Sequence, residues 1–305
     1  MSNLILLMNE LPYLFILFSF IFAATLGSFI NVVIHRLPVM LKREWQQECN
    51  QYLNEYHPEK VKLIGEDELN KSIDPFPEKY NLVVPTSACP KCNSKIKPWH
   101  NLPIFGWLML KGKCANCSAS ISGRYPIIEF VSGALVAILA WHFGPTLDFA
   151  ATALLTLVLI ALTGIDLDEM LLPDNLTLPL LWLGILFSMT DGFVSLNDSV
   201  IGAMAGYLSL WSVFWLFKLV TGKEGMGYGD FKLMAVFGAW LGWQMLPLII
   251  LLSSLVGAIV GISLIATKKL HSGNPIPFGP YIAAAGWIAI VWGQDIVNWY
   301  LSNAL

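Results

Sequence analysis

The sequence predicts an all-α polytopic membrane protein with about eight transmembrane helices and one large cytoplasmic insertion, and three observations predict it. Hydrophobic residues make up 56% of the chain and charged residues only 13%, whereas soluble domains carry about a quarter charged. Several apolar windows reach the ~20 residues needed to cross ~30 Å of hydrocarbon. Every Lys and Arg falls in or beside three of the connections between those windows.

The apolar runs place spans at roughly 11–34, 126–143, 149–165, 175–190, 198–220, 231–247, 248–267 and 280–300. The boundary near Pro247 and the short fourth span are the least marked of these. The first run lacks a basic leading region and a small-residue cleavage site, so it is expected to stay as an anchor and not to be removed as a signal peptide. Thirteen basic residues lie between spans 1 and 2: Arg36, Lys42, Arg43, Lys60, Lys62, Lys71, Lys79, Lys91, Lys95, Lys97, Lys111, Lys113 and Arg124. The other five, Lys218, Lys223, Lys232, Lys268 and Lys269, flank the 5–6 and 7–8 connections. With eight spans these connections share one side, and positive charge marks that side as cytoplasmic. Both termini then point away from the cytoplasm. The net charge of −3 indicates no partner class, and lipid is the surrounding medium; no nucleic-acid partner is expected. The expected organisation is a first transmembrane helix (1–34), a cytoplasmic loop domain (35–125) and a membrane-embedded region (126–305).

The loop domain carries "CPKC" at 89–92 and "CANC" at 114–117. Two C-x2-C turns can each offer a metal two thiolates, so Cys89, Cys92, Cys114 and Cys117 form a candidate tetrahedral zinc site. Two disulfides are the alternative, and the cytosolic placement, where thiols stay reduced, favours zinc. Metal binding would supply folding free energy to a segment with few apolar residues. Cys49 is left over as a plain thiol. The segment 42–80 reads as either an amphipathic surface helix or a flexible insertion.

Carboxylates sit where hydrocarbon should exclude them. "TGIDLDEMLLPDN" (163–175) places Asp166, Asp168, Glu169 and Asp174 between two apolar runs, and "GKEGMGYGDFK" (222–232) places Asp230 at the start of another. For Asp174 the ordinary reading is a cap of the fourth span, and for Asp168 and Glu169 solvation at the interface. Asp166 and Asp230 differ, because an acid within or beside a span is a functional candidate. The topology gives them one membrane face and one depth. Gly225, Gly227 and Gly229 are expected to permit positive φ or close approach near Asp230. Two facing acids cannot both ionise easily, so one becomes a base and the other an acid. Such a pair can activate water and protonate a leaving amine. No Ser-His or H-E-x-x-H pattern competes. On chemistry alone the pair suits a hydrolase and a proton-coupled transporter equally.

Five ordered motifs then matter together: "GSFINVVIHRLP" (27–38), the two cysteine knuckles, "SGRYPIIE" (122–129), "IDLDEMLLPD" (165–174) and "GMGYGDFKL" (225–233). They resemble the type IV prepilin peptidases, the bifunctional leader peptidase and N-methyltransferase family, over nearly the whole chain. The resemblance implies a GxGD-type intramembrane aspartic endopeptidase of the bacterial inner membrane, with Asp166 and Asp230 as its catalytic pair. It implies prepilins and type II secretion pseudopilins as substrates, cut after a Gly at the cytoplasmic face. It also implies that S-adenosylmethionine then methylates the new N-terminal residue, usually Phe. The acids at 166–174 are further expected to attract the leader's Lys and Arg.

The methyltransferase half leaves little trace in the residues, since no Gly-rich strand-turn-helix signature stands out. The resemblance places that activity around the cytoplasmic loop. Gly112 and Lys113 of "LKGKC" are the expected cofactor contacts there, and a turn that shapes the second knuckle is the plainer account of both. Ala24, Gly27, Ser28 and Asn31 share a helix face, which suits close helix packing.

Overall fold

The computed structural model describes residues 10–64, 76–77, 79–190, 192–267 and 276–304. Lys71, Lys268, Lys269 and the stretch 65–75 lie outside the described residues, so the reading of 42–80 is followed only on either side of that stretch.

The chain is all-helical among the described residues, with two isolated β-bridges in the loop domain and no sheet. The helices, in order, are α1 (Pro12–Tyr56), α2 (Pro58–Ile64), α3 (Phe105–Met109), α4 (Arg124–Phe143), α5 (Leu147–Glu169), α6 (Asp174–Ser188), α7 (Leu196–Thr221), α8 (Tyr228–Leu241), α9 (Leu246–Ala266) and α10 (Gly279–Ala304). A helix thus stands at each of the eight predicted positions. Among the described residues, five helical segments are long and apolar enough to cross a membrane: α1, α4, α5, α7, and α9 with the short turn before it. This is a multi-pass architecture.

The loop domain begins inside a helix. α1 continues through Pro38 to Tyr56, so the end of the apolar run near residue 34 is not the end of the helix. Arg36 is buried on α1, and its guanidinium donates to the Asn81 carbonyl at 2.8 Å and the Pro85 carbonyl at 2.7 Å. The motif arginine thereby pins the returning loop to the helix. The small-residue face also packs as expected. A Cβ on Gly27 would stand 2.9 Å from the Glu129 Cα of α4, and Asn31 Nδ2 donates to the Tyr125 carbonyl at 3.2 Å.

The core is built around α8. Asp230, Phe231 and every residue from Leu233 to Leu241 are buried, so this helix is enclosed on all sides. Its neighbours approach closely because the contact points are glycines. Gly202 of α7 meets Gly238 of α8 backbone to backbone, and Ser199 Oγ donates to the Ala239 carbonyl at 2.7 Å. On the α6 side, Trp240 Nε1 donates to the Leu180 carbonyl at 2.9 Å.

The expected boundary at Pro247 moves. α8 stops at Leu241, where Gly242 takes φ 75°, and Pro247 instead sits in the first turn of α9. Glycine reaches that left-handed region at little cost, and a first-turn proline loses no helical hydrogen bond.

Candidate active site

Asp166 occupies the buried stripe of α5. Leu155, Leu159 and Leu162 precede it at helical spacing and are themselves buried, and Asp166 is 5% exposed. Four residues later Met170 adopts the left-handed conformation, with φ 50°, and ends the helix. Asp230 sits in the first turn of α8 and is also 5% exposed. There the free N–H groups of a helix start favour a carboxylate.

Each carboxylate is held by one glycine amide. The Gly279 N–H donates to Asp166 Oδ2 at 3.0 Å, and the Gly227 N–H donates to Asp230 Oδ2 at 3.1 Å. The two aspartates line one cleft of about 170 Å³, together with Leu172, Met226 and Phe278. The space suits water and a stretch of extended backbone. Like charges in one cleft cannot both ionise easily, so the arrangement can hold an acid beside a base.

None of Gly225, Gly227 and Gly229 adopts positive φ. Gly225 and Gly229 serve by close approach, whereas a Cβ on Gly227 would meet nothing nearer than 3.8 Å, and Gly227 serves through its amide. A Cβ on Gly229 would meet the Leu172 Cβ at 2.7 Å, and one on Gly279 would meet Asp166 Oδ2 at 2.6 Å. Backbone from two segments is thus brought against one leucine and one carboxylate.

The three flanking acids are ion-paired within the chain. Arg124 reaches Asp168 at 2.6 Å, Lys42 reaches Glu169 at 2.6 Å, and Lys232 reaches Asp174 at 2.6 Å. This corrects two expectations. Asp174 makes no capping hydrogen bond, since Pro173 holds the N-cap position of α6. The acids' attraction for a basic leader is also offset by these cations.

The four loop cysteines converge. Cys89 and Cys117 Sγ lie 3.8 Å apart, Cys92 and Cys114 Sγ lie 3.9 Å apart, and all four sulfurs fall within 4.8 Å of one another. Four Zn–S bonds of ~2.3 Å in a tetrahedron require sulfurs about 3.8 Å apart, whereas a disulfide needs ~2.05 Å. The two knuckles share one backbone plan. In each, the first cysteine's carbonyl accepts from the residue four on, Asn93 or Ser118, and both of those residues have positive φ. Hydrogen bonding from Ser94 pulls the Cys92 thiol down from 9.0 to about 6, and the thiolate is the form that binds a metal. Cys49 is a free, exposed thiol on α1, apart from this cluster.

Beside the knuckles lies a second cavity of about 440 Å³, lined by the knuckle segments, Trp107 and the start of α4. Gly112 and Lys113 are not among its lining residues. Gly112, at φ 67°, accepts the Ile121 N–H at 2.7 Å, and Lys113 bridges to Ser120. Both therefore shape the second knuckle.

Sequence reasoning missed Gly279 and Glu129. Gly279 belongs to a Pro-Phe-Gly-Pro break at the start of the last span, a visible signal with no visible partner. Glu129 is an acid within an apolar helix, the kind of residue that marks a function by default.

The class of protein is therefore a multi-pass helical membrane protein with a buried aspartate pair and a tetracysteine cluster. A family model for the bacterial peptidase A24 N-terminal domain matches residues 21–143, and one for the type IV leader peptidase family matches residues 153–262. A prepilin leader peptidase/N-methyltransferase of Aeromonas salmonicida is 55% identical over 305 residues, covering all of both chains. One from Aeromonas hydrophila is likewise 55% identical over 305 residues, and one from Pseudomonas aeruginosa is 51% identical over 295 residues, covering 96% of each chain. No solved structure matches the chain. The chain belongs to the type IV leader peptidase family.

Proposed function

We propose that the chain cleaves the short basic leader from type IV prepilins and type II secretion pseudopilins after a Gly at the cytoplasmic membrane face, and then N-methylates the new N-terminal residue, usually Phe. The observation that carries this reading is the convergence of Asp166 and Asp230 on one cleft, in a chain of this family. The GxGD aspartic mechanism follows. The ionised aspartate takes a proton from water, whose oxygen attacks the scissile carbonyl. The protonated aspartate gives its proton to the departing amide nitrogen. The Gly227 and Gly279 amides fix both carboxylates, so little reorganisation accompanies these transfers.

The proton-coupled transporter draws no support. Its acids would sit near mid-membrane, and the relatives are peptidases by name. For the second activity, S-adenosylmethionine supplies an electrophilic methyl group on a sulfonium. The cytoplasmic loop supports its binding, although Gly112 and Lys113 draw less support as contacts than as knuckle residues. A structural zinc on Cys89, Cys92, Cys114 and Cys117 is supported by the sulfur spacing. We propose a division into 1–34, 35–125 and 126–305, eight membrane passes, and an active face toward the cytoplasm of an inner-membrane protein. The charge distribution supports that orientation.

A cleavage assay in membranes, with a prepilin-like substrate, tests the reading. Asp166→Asn and Asp230→Asn should each lower cleavage by about 10²–10⁴-fold, the range of acid–base contributions. Asp168→Asn and Asp174→Asn should retain most activity, because exposed ion pairs contribute little. Normal processing by either of the first two variants would overturn the pair.

A further inference from the structure

The cavity beside the knuckles contains a carboxylate that the peptidase chemistry does not use. Glu129 lies one turn into α4, is 7% exposed and lines this cavity of about 440 Å³. Its Oε2 accepts the Ile104 N–H at 2.7 Å. Among the described residues no Lys, Arg or His pairs with it. A buried carboxylate without a cation is costly. The Ser28 hydroxyl is its other hydrogen-bond partner, and two neutral donors still leave acceptor sites open on a group with about four. Such a group at the wall of a cavity is suited to a positively charged ligand.

The rest of the lining narrows the ligand. Trp107 and Tyr125 offer flat aromatic surface, while Lys95, Lys97 and His100 offer donors for an anionic group. The Trp107 ring is fixed by its own N–H, which donates to the Ile121 carbonyl at 3.2 Å. The volume lies within the ~300–1,000 Å³ of small-molecule sites. No lining residue is shared with the aspartate cleft. S-adenosylmethionine has an aromatic base, a carboxylate and a sulfonium, so each chemical part finds a matching class of side chain here.

We propose that this cavity binds the methyl donor and that Glu129 recognises its sulfonium. The proposal rests on the methyltransferase reading above. It has a consequence that a purely structural glutamate would lack. S-adenosylmethionine carries one more positive charge than S-adenosylhomocysteine, so Glu129 distinguishes donor from spent product. The plainer role, holding the positive-φ turn at Ile104, needs only an acceptor oxygen. A glutamine keeps that oxygen and removes the charge.

Isothermal titration of the full chain in detergent, with S-adenosylmethionine and with S-adenosylhomocysteine as separate probes, tests this. Glu129→Gln should weaken binding of S-adenosylmethionine by about tenfold or more, in line with interactions to charged groups. Binding of S-adenosylhomocysteine should change by no more than about twofold, since its extra charge is absent. Equal loss for both ligands, or no loss for either, overturns the role of Glu129. Photo-crosslinking of labelled S-adenosylmethionine to the unmodified chain locates the site independently of any variant. Adducts on Trp107 or Tyr125 support the cavity, and adducts confined to the aspartate cleft overturn it. An unmodified chain that binds neither probe overturns the methyltransferase reading itself.

Discussion

Asp166 was legible because it continues a pattern. Leu155, Leu159 and Leu162 define the buried stripe of α5, and Asp166 falls on it while Asp168 falls off it; Glu169 is in register with the stripe but is the last residue of the helix and is exposed. Helical periodicity therefore separates Asp166 from Asp168, whereas Glu169 is set apart by the helix end. Gly279 was not legible, because its amide meets Asp166 from a segment 113 positions away. That contact makes a sharp prediction. A Cβ at Gly279 would stand 2.6 Å from Asp166 Oδ2 and 3.1 Å from Leu172 Cδ1, so Gly279→Ala must displace the carboxylate or the leucine. A misplacement of about 1 Å costs on the order of 10²-fold in rate. Cleavage by Gly279→Ala should fall by about that factor, while its metal content stays at the parent level. A rate within a few-fold of the parent's would show that the Asp166–Gly279 contact does not set the catalytic geometry.

Among the elements, the knuckles were read most fully, since cysteine spacing encodes a local turn whose chemistry needs no distant partner. Helix ends were read least well. The apolar run of α1 stops well before the helix does, because hydrophobicity reports the membrane exit and not backbone hydrogen bonding. The same limit shifted the α8–α9 boundary from Pro247 to Gly242. Glycine and proline both punctuate helices, but only the backbone reveals which ends one and which begins the next. The sulfur spacing predicts roughly one zinc per chain, as four-thiolate sites hold. Cys89→Ser should purify without stoichiometric zinc and should make the segment from Ser87 to Ser122 sensitive to protease, because the metal supplies its folding free energy. Cys49→Ser should keep the metal. Elemental analysis beside limited proteolysis checks both, and undiminished zinc in Cys89→Ser would remove that thiolate from the site.

For the whole molecule, the aspartate cleft constrains which helices cross the membrane. Asp166 lies at the end of α5 and Asp230 at the start of α8, with α6 and α7 between them. Because both line one cleft, the chain between them crosses an even number of times. α7 is long and apolar enough to cross, and its crossing requires α6 to cross too, although the 15 residues of α6 reach only about 22 Å. The same reasoning applies from Asp230 to Gly279, whose amide holds Asp166. α9 is long and apolar enough to cross, and its crossing requires α8 to cross as well, despite its 14 residues. Lys42 on α1 and Arg124 at the start of α4 pair with Glu169 and Asp168 beside this cleft, which gathers the basic exits onto the same face. With α10 added, this gives the eight passes of the proposed topology, in which short α6 and enclosed α8 are argued by parity. Local thinning of the bilayer accommodates such short spans. Alkaline phosphatase is active only where its disulfides form, outside the cytoplasm. Fusions after Pro145 and after Phe193 should therefore be active, and fusions after Leu172 and after Lys223 inactive. If α6 instead entered and left by one face, the Phe193 fusion would be inactive and the Lys223 fusion active, and the two aspartates could not belong to one catalytic pair.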